Sequence, residues 1–260
     1  MAEKTFAELL DESTDDSRIM DAPLSERLKA VADEVERRSP EFAAVVARMV
    51  ARLEANNVGQ SAPQIGERMP DFILPDEKGT LVCLENLLEQ GPVVVSFHRG
   101  HWCPYCRLNA DGLAKIAPDV KRLDAQIVAI SPETHQYGAE LKADANAPFP
   151  VLADVDNGYA LELNLLFWVG DEKREAMQAG GFDIAPYQGN ETWMLPVPAT
   201  FIVSRDGLVK ARYIDPDYRR RMELDAILAA LGNLAGRVQS QASETESTAQ
   251  RTAGRRHSTA

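Results

Sequence analysis

The chain has 260 residues, of which 45% are hydrophobic and 26% charged, a composition typical of a folded globular protein. Lys and Arg number 28 against 40 Asp and Glu, so the formal net charge is −12. Binding to nucleic acid or to anionic membranes needs clustered positive charge, so this balance disfavours both kinds of partner.

The sequence also argues against a membrane-spanning protein and against a secreted, disulfide-stabilised one. No apolar run approaches the roughly 18 residues that span a bilayer, and the acidic start of the chain (1–16) predicts no secretory signal. Three cysteines, Cys83, Cys103 and Cys106, cannot form a closed disulfide framework. We therefore expect a cytoplasmic protein whose close cysteine pair serves redox chemistry or binds a metal.

Residues 1–62 are predicted to form an N-terminal helical extension. Its best helix has Ser39 as N-cap, Pro40 at the first helical position and a stop signal at Asn56. The apolar positions of this helix and of a shorter, earlier one recur at three- and four-residue spacing: Phe42, Val45, Val46, Met49 and Leu53, then Leu28, Val31 and Val35. Such an extension either docks on the main domain or serves as a dimer arm.

Short apolar runs alternate with helical patterns from residue 63, which predicts an α/β domain over 63–235. The predicted strands are 72–74, 81–84, 93–97, 127–130, 151–152, 200–203 and 208–213, and the predicted helices follow Cys103 and cover 133–144, 159–165 and 222–234. The Gly-rich residues 166–195 are predicted to be an insertion or lid in which Trp168 and Trp193 could line a site. Residues 236–260 have almost no large apolar side chain and are predicted to be a disordered tail.

The most informative segment runs from His98 to Cys106, between a strand and a helix. Cys103 falls near the N-cap of that helix, where free N–H groups and the helix dipole favour an anion. A thiolate is such an anion, so a lowered pKa is expected for Cys103, with help from Arg99 and Arg107.

The Cys-x-x-Cys spacing places both sulfurs on one face of the first helical turn, within bonding range. Cys103, expected to be the more exposed, would attack an oxidised substrate, and Cys106 would resolve the adduct into an internal disulfide. A peroxide substrate gives a sulfenic acid at Cys103 first, whereas a disulfide substrate gives a mixed disulfide first.

The histidines and the third cysteine leave alternatives open. His98 and His101 together with the cysteine pair could form a zinc site. As a base for a thiol, His101 in the turn is the better candidate, whereas His98 is expected to be packed and hydrogen-bonded. Cys83 is expected to be a small core residue.

The segment from Trp102 to Cys106 resembles the active-site turn of thioredoxin-fold proteins, and Val197 to Phe201 looks like their cis-proline segment, with Pro198 as the cis residue. The wider pattern resembles the peroxiredoxin-like AhpC/TSA (alkyl hydroperoxide reductase/thiol-specific antioxidant) family over residues 63–235. The motifs that match it in order are 69–76, 94–100, 128–132 and 149–154.

This resemblance implies a thioredoxin-like fold with a central mixed β-sheet flanked by helices. It implies thiol-dependent reduction of hydroperoxides with Cys103 as the peroxidatic residue. The family pattern has Pro and Thr where this chain has Ser96 and Gly100, and an Arg expected in 194–197 is missing. Arg99 is the candidate to take its place, and Cys103, Cys106, Arg99 and Pro198 are the predicted catalytic residues.

The predicted partners are a hydroperoxide, a thioredoxin- or glutaredoxin-type reductant and, in a homodimer, a second copy of the chain. No cofactor or metal is predicted. A thioredoxin-like protein disulfide reductase is the first alternative, because the active-site turn is of the thioredoxin type. A non-enzymatic redox sensor or a zinc-binding module is the second.

Overall fold

The protein is described here by a computed structural model that covers residues 6–236. Its helices are α1 (Phe6–Ile19), α2 (Leu24–Arg38), α3 (Pro40–Ala55), α4 (Leu84–Gln90), α5 (Pro104–Arg122), α6 (His135–Asp144), α7 (Gly158–Glu162), α8 (Asp171–Ala179), α9 (Ala185–Gln188) and α10 (224–236). Its strands are β1 (Ile73–Pro75), β2 (Leu81–Cys83), β3 (Val93–Phe97), β4 (Gln126–Ser131), β5 (Val151–Ala153), β6 (Leu166–Trp168), β7 (Met194–Pro196), β8 (Ala199–Val203) and β9 (Val209–Ile214). All but the first residue of the predicted disordered tail lies outside the described residues.

The central sheet has five strands in the order β5-β4-β3-β8-β9. The β3 strand runs parallel to β4 and antiparallel to β8, so the sheet is mixed, as predicted. Every residue of β3 is buried, which explains why it reads as a continuous apolar run in the sequence. The thioredoxin-like α/β fold is therefore confirmed.

The two faces of the sheet carry separate apolar layers. Val94 on β3 and Ile127 on β4 face a layer built with α5, α6 and α10. Val93, Val95 and Phe97 point the other way, as strand alternation requires, into a layer that includes α2 and α3. The sheet is thus covered on both faces, and the N-terminal helices supply part of one cover.

The N-terminal helices pack on the domain of their own chain, which favours the docking interpretation of the extension. Ser39 precedes α3 and Pro40 opens it, as predicted. Arg27 on α2 forms a buried ion pair with Asp111 on α5, with 2.7 Å between Nη2 and Oδ2. Because Asp111 belongs to α5, the helix that contains Cys106, this ion pair holds the extension beside the cysteine pair.

The segment 166–195 is more regular than the sequence suggests. It contains α8 and α9 and a two-stranded ribbon in which Trp168 of β6 lies opposite Met194 of β7. These strands are three residues long and pair across a wide sequence gap, so local periodicity does not reveal them. Within residues 6–236, no helix is long and apolar enough to cross a membrane.

Candidate active site

The cysteine pair lies on the turn between β3 and α5. Cys103 is the N-cap of α5 with extended backbone angles, and Pro104 occupies the first turn of the helix. Gly100 enters the turn with a φ of +142°, and a Cβ there would lie 2.5 Å from the Glu133 carboxylate. Only glycine fits this position, and the close approach brings the chain into the helix at Cys103.

Both sulfurs are shielded from bulk solvent. Cys103 is 1% exposed and Cys106 0%, so the expectation of an exposed Cys103 is wrong in this respect. The two residues still differ in access. Cys103 lines a cavity of about 500 Å³, and Cys106 lies behind it, outside the cavity lining.

The Cys106 sulfur is surrounded by hydrogen-bond donors. The Arg99 backbone N–H donates to it at 3.2 Å, and Nη2 of Arg221 donates at 3.4 Å. The side chains of Cys103 and His98 also act on this sulfur, because both lower the pKa of Cys106. This environment suits a thiolate, because each donor stabilises a negatively charged sulfur that bulk water does not reach.

His98 is buried and also favours a thiolate at Cys106. Its Nε2 lies 3.0 Å from Ser96 Oγ and accepts a hydrogen bond from Asn109 Nδ2 at 3.3 Å. With Nε2 as acceptor, the ring carries a proton on Nδ1, and this Nδ1 is buried without a hydrogen-bond partner in the described part of the chain. The prediction of a packed, hydrogen-bonded His98 is confirmed, and its lowering of the Cys106 pKa is an effect that the sequence did not reveal.

Of the two cysteines, Cys106 is the one whose surroundings favour the negatively charged thiolate. Burial opposes ionisation of both thiols, yet the neighbouring Cys103 and His98 side chains and the positive charge of Arg221 hold the pKa of Cys106 well below its usual value. Burial and the neighbouring Cys106 sulfur raise the pKa of Cys103, although Arg99 and Arg221 act in the opposite direction. The expected low pKa at Cys103 is thus found at its partner, because the donors converge on Cys106.

Arg99 lies where it can act on both sulfurs. Its side chain is fully buried, and Nη1 is 4.0 Å from the Cys103 sulfur. The guanidinium stacks between two aromatic rings, with its carbon 3.8 Å from the Tyr218 ring centroid and 4.9 Å from that of Trp102. The structure therefore places a rigidly held positive charge beside Cys103 on the cavity side.

Glu133 holds the turn from behind. One carboxylate oxygen accepts the His101 backbone N–H at 2.7 Å, and Ser131 Oγ lies 3.4 Å from the same oxygen. Burial raises the pKa of Glu133 to about 8, against the opposing hydrogen bond from His101. The carboxyl group is therefore mainly protonated at neutral pH.

This shift predicts a pH-dependent stability. Because the fold favours the protonated carboxyl, its contribution is fully present below the unfolded-state pKa of 4.5 and is lost as the pH rises through about 8. Between ~pH 5 and ~pH 8 the unfolding free energy of the wild type should fall by a few kcal/mol relative to that of Glu133→Gln. Urea unfolding at both pH values measures this, with exposed Glu89→Gln as control; equal pH dependence in wild type and Glu133→Gln would contradict it.

Three further residues differ from the roles or positions that the sequence predicts for them. The His101 ring turns away from the sulfurs to Asp144, with Nε2 2.8 Å from its Oδ2, so its expected role as a base is wrong. Arg107 pairs with Asp11 of α1 at 2.6 Å instead of supporting a thiolate. Cys83 is only half-buried, and its sulfur lies 3.6 Å from Asp71, so it is not a core residue.

Pro198 also differs from its prediction. No peptide bond within residues 6–236 is cis, and the bond before Pro198 is therefore trans. The chain runs in an extended conformation from β7 to β8, and no tight turn there favours a cis bond. The preceding Val197 N–H donates to the Leu165 carbonyl at 2.8 Å and is not available to a ligand.

The cavity beside Cys103 is covered by the N-terminal extension and by the predicted lid. Phe42 and Val45 of α3 form one wall, and Lys173 and Met177 of α8 form another. The lid prediction is supported by α8, but Trp168 and Trp193 are not among the lining residues. Its walls are mostly apolar, with Arg99 and Lys173 as buried cations.

The geometry does not assemble the zinc site considered above. In the described part of the chain, the one group of potential metal ligands that lie together is Asp71, Cys83 and Glu85, at a different place. His101 is engaged with Asp144 and Glu140 outside the cysteine pair. His101 is therefore not available to complete a four-ligand zinc site with His98, Cys103 and Cys106.

Sequence reasoning missed three residues of the site. Arg221 and Tyr218 lie between β9 and α10, more than 100 residues from the cysteines, and Lys173 comes from α8. The run Arg219 to Arg221 in an acidic chain was a visible signal of an anion-stabilising segment. No local pattern marks Lys173 or Tyr218.

Comparison with known proteins agrees with this architecture. The sequence model of the AhpC/TSA family matches residues 65–212, which is more than half of the chain. The chain belongs to the AhpC/TSA family. It is 27% identical over 140 residues to "Peroxiredoxin bcp1" of Schizosaccharomyces pombe, covering 52% of this chain and 70% of that protein. A "Peroxiredoxin" of Thermoplasma volcanium is 28% identical over 148 residues, covering 52% of this chain and 66% of the relative.

Solved structures show the same fold at lower sequence identity. A peroxidoxin, BcpB, of Mycobacterium tuberculosis superposes with a TM-score of 0.51 at 23% identity, over 66% of this chain and 97% of that one. AhpC of Enterococcus faecalis superposes with a TM-score of 0.52 at 17% identity, over 68% and 95% of the two chains. The AhpC/TSA relatives of this chain are thiol-dependent peroxidases. The N-terminal helices of this chain lie outside the matched family region.

Proposed function

We propose that this protein reduces hydroperoxides with Cys103 as the attacking thiol and Cys106 as the resolving thiol. The observation that carries the proposal is the position of Cys103 between a cavity and a second, charge-stabilised sulfur. A small hydroperoxide can reach Cys103 from the cavity. Arg99 faces the same sulfur and stabilises negative charge there during the reaction.

In the first step the Cys103 sulfur, as thiolate, attacks the terminal oxygen of the hydroperoxide. An S–O bond forms and the O–O bond breaks, which gives a sulfenic acid and an alkoxide that takes up a proton to become an alcohol. The Cys106 thiolate then attacks the oxidised sulfur, and the hydroxyl group leaves as water after taking up a proton. The product is an internal Cys103–Cys106 disulfide, so both sulfurs have given up one electron each to the peroxide.

The disulfide must then be reduced by an external thiol. A thioredoxin- or glutaredoxin-type donor is the proposed reductant, and a reducing compartment such as the cytoplasm is the setting in which such donors work.

The shielding of both sulfurs makes a protein disulfide a poorer substrate than a hydroperoxide. Cys103 opens onto a cavity of about 500 Å³, which admits a small molecule but no folded protein. A disulfide reductase needs its attacking sulfur at the surface. Reduction of a protein disulfide by Cys103 would therefore require the cavity walls formed by α3 and α8 to move apart.

Two assays on the purified protein separate these functions. With dithiothreitol as electron donor, we expect rapid consumption of tert-butyl hydroperoxide and negligible reduction of insulin disulfides. Variant Cys83→Ser should behave like the wild type, because Cys83 lies away from the pair. Rapid insulin reduction without hydroperoxide consumption would replace the proposed function by that of a disulfide reductase.

A further inference from the structure

Lys173 is a buried lysine that the reaction described so far does not use. The residue is 3% exposed and belongs to α8, in the part of the chain that covers the cavity. Its Nζ lies 3.4 Å from the centroid of the Phe42 ring on α3. Within residues 6–236, no carboxylate or other hydrogen-bond acceptor is bonded to this Nζ.

The groups around Lys173 favour its neutral form. Burial and the positive charges of Arg99 and Arg219 lower the pKa of Lys173 well below its usual value, although a charged Cys103 raises it. The remaining charged residues of the cavity, Arg38 and Glu41, lie at its exposed rim. An amine whose pKa is lowered in this way releases a proton more readily than a lysine at the surface.

The chemistry at Cys103 requires such a proton. When the O–O bond of an alkyl hydroperoxide breaks, the departing oxygen is a strongly basic alkoxide unless a proton reaches it. Arg99 cannot supply one, because a guanidinium does not release its protons in proteins. Burial raises the pKa of Tyr218, whose ring is covered by the Arg99 guanidinium, so its hydroxyl is a poor donor.

We propose that Lys173 is a catalytic residue that transfers a proton to the leaving oxygen of the hydroperoxide, an inference that rests on the proposed function. Cys103 reacts as a thiolate, its proton having passed to solvent, and Lys173 reacts as an ammonium. The thiolate attacks the terminal oxygen, which keeps its hydrogen in the sulfenic acid. The leaving alkoxide takes the proton from the Lys173 ammonium, so the products are Cys103 sulfenic acid, an alcohol and neutral Lys173.

The test compares two oxidants whose leaving groups differ in basicity. The leaving group of tert-butyl hydroperoxide is a strongly basic alkoxide, whereas that of peroxyacetic acid is the weakly basic acetate, which needs no proton. In stopped-flow measurements of Cys103 oxidation, Lys173→Met should lower the second-order rate constant for tert-butyl hydroperoxide by about 10²-fold. The rate constant for peroxyacetic acid should fall by less than about threefold, since only proton delivery is lost.

Three further variants make the result decisive. Lys173→Arg keeps a positive charge but releases no proton, so it should show the same selective loss, and Lys173→Gln provides a second neutral variant should Met perturb the packing. Exposed Lys29→Met should match the wild type with both oxidants. An equal loss with both oxidants, or none with either, in folded Lys173 variants overturns the inference. A wild type that reacts with neither oxidant overturns the proposed function itself.

Discussion

Cys103→Ser should lose hydroperoxide reduction by at least about 10³-fold, because it removes the sulfur that faces the cavity. Cys106→Ser should behave differently. Its Cys103 is still oxidised by one equivalent of hydroperoxide, but the sulfenic acid persists because the resolving sulfur is missing. Steady-state consumption of hydroperoxide, together with dimedone trapping and peptide mass spectrometry, measures both results.

The same experiment tests the assignment of roles within the pair. The low pKa of Cys106 makes it the better thiolate, so the assignment of attack to Cys103 depends on access from the cavity. Cys83→Ser serves as the matched control for loss of a thiol. Should Cys103→Ser keep consuming hydroperoxide and carry the dimedone adduct on Cys106, the two roles must be exchanged.

Arg99→Met should reduce the rate of Cys103 oxidation at neutral pH by about 10²-fold. The guanidinium lies 4.0 Å from the Cys103 sulfur and lowers the pKa of that thiol, which burial otherwise raises. Removing the charge raises the Cys103 pKa further, so the rate-against-pH profile should move to higher pH. Stopped-flow rates across the pH range measure both the loss and the displacement.

The controls for this prediction separate charge from packing. Arg99→Lys keeps a charge but loses the planar group between Tyr218 and Trp102, so it should recover only part of the rate. Arg52→Met removes an arginine that stacks on a tryptophan outside the cavity and should leave the rate unchanged. An Arg99→Met rate equal to that of the wild type at every pH would contradict a role of this charge in catalysis.

The parts of the fold that follow from local pattern could be predicted closely. The apolar run Val93 to Phe97 is β3 at the bounds expected, and Ser39-Pro40 marks the start of α3. The ribbon of β6 and β7 and the short helix α4 could not be predicted, because their stability comes from packing on distant residues and not from their own periodicity.

The active site also combines residues that local sequence predicts with residues that only the tertiary structure brings together. The two cysteines and Arg99 are neighbours in sequence, and a strand-to-helix turn is enough to bring them together. Arg221 and Lys173 reach the site only through tertiary structure, and Arg221 contributes to the shift of negative charge from Cys103 to Cys106. Residue spacing indicates which sulfurs can meet but not which one the surrounding donors stabilise.

The most direct test of the account is the mass of the wild-type protein after reaction with one equivalent of tert-butyl hydroperoxide. We predict the loss of two hydrogens per chain and, after digestion without reduction, a single cross-link between Cys103 and Cys106. A stable sulfenic or sulfinic acid on either cysteine, a cross-link to Cys83, or an unchanged protein would contradict the central claim that these two sulfurs act as one redox pair.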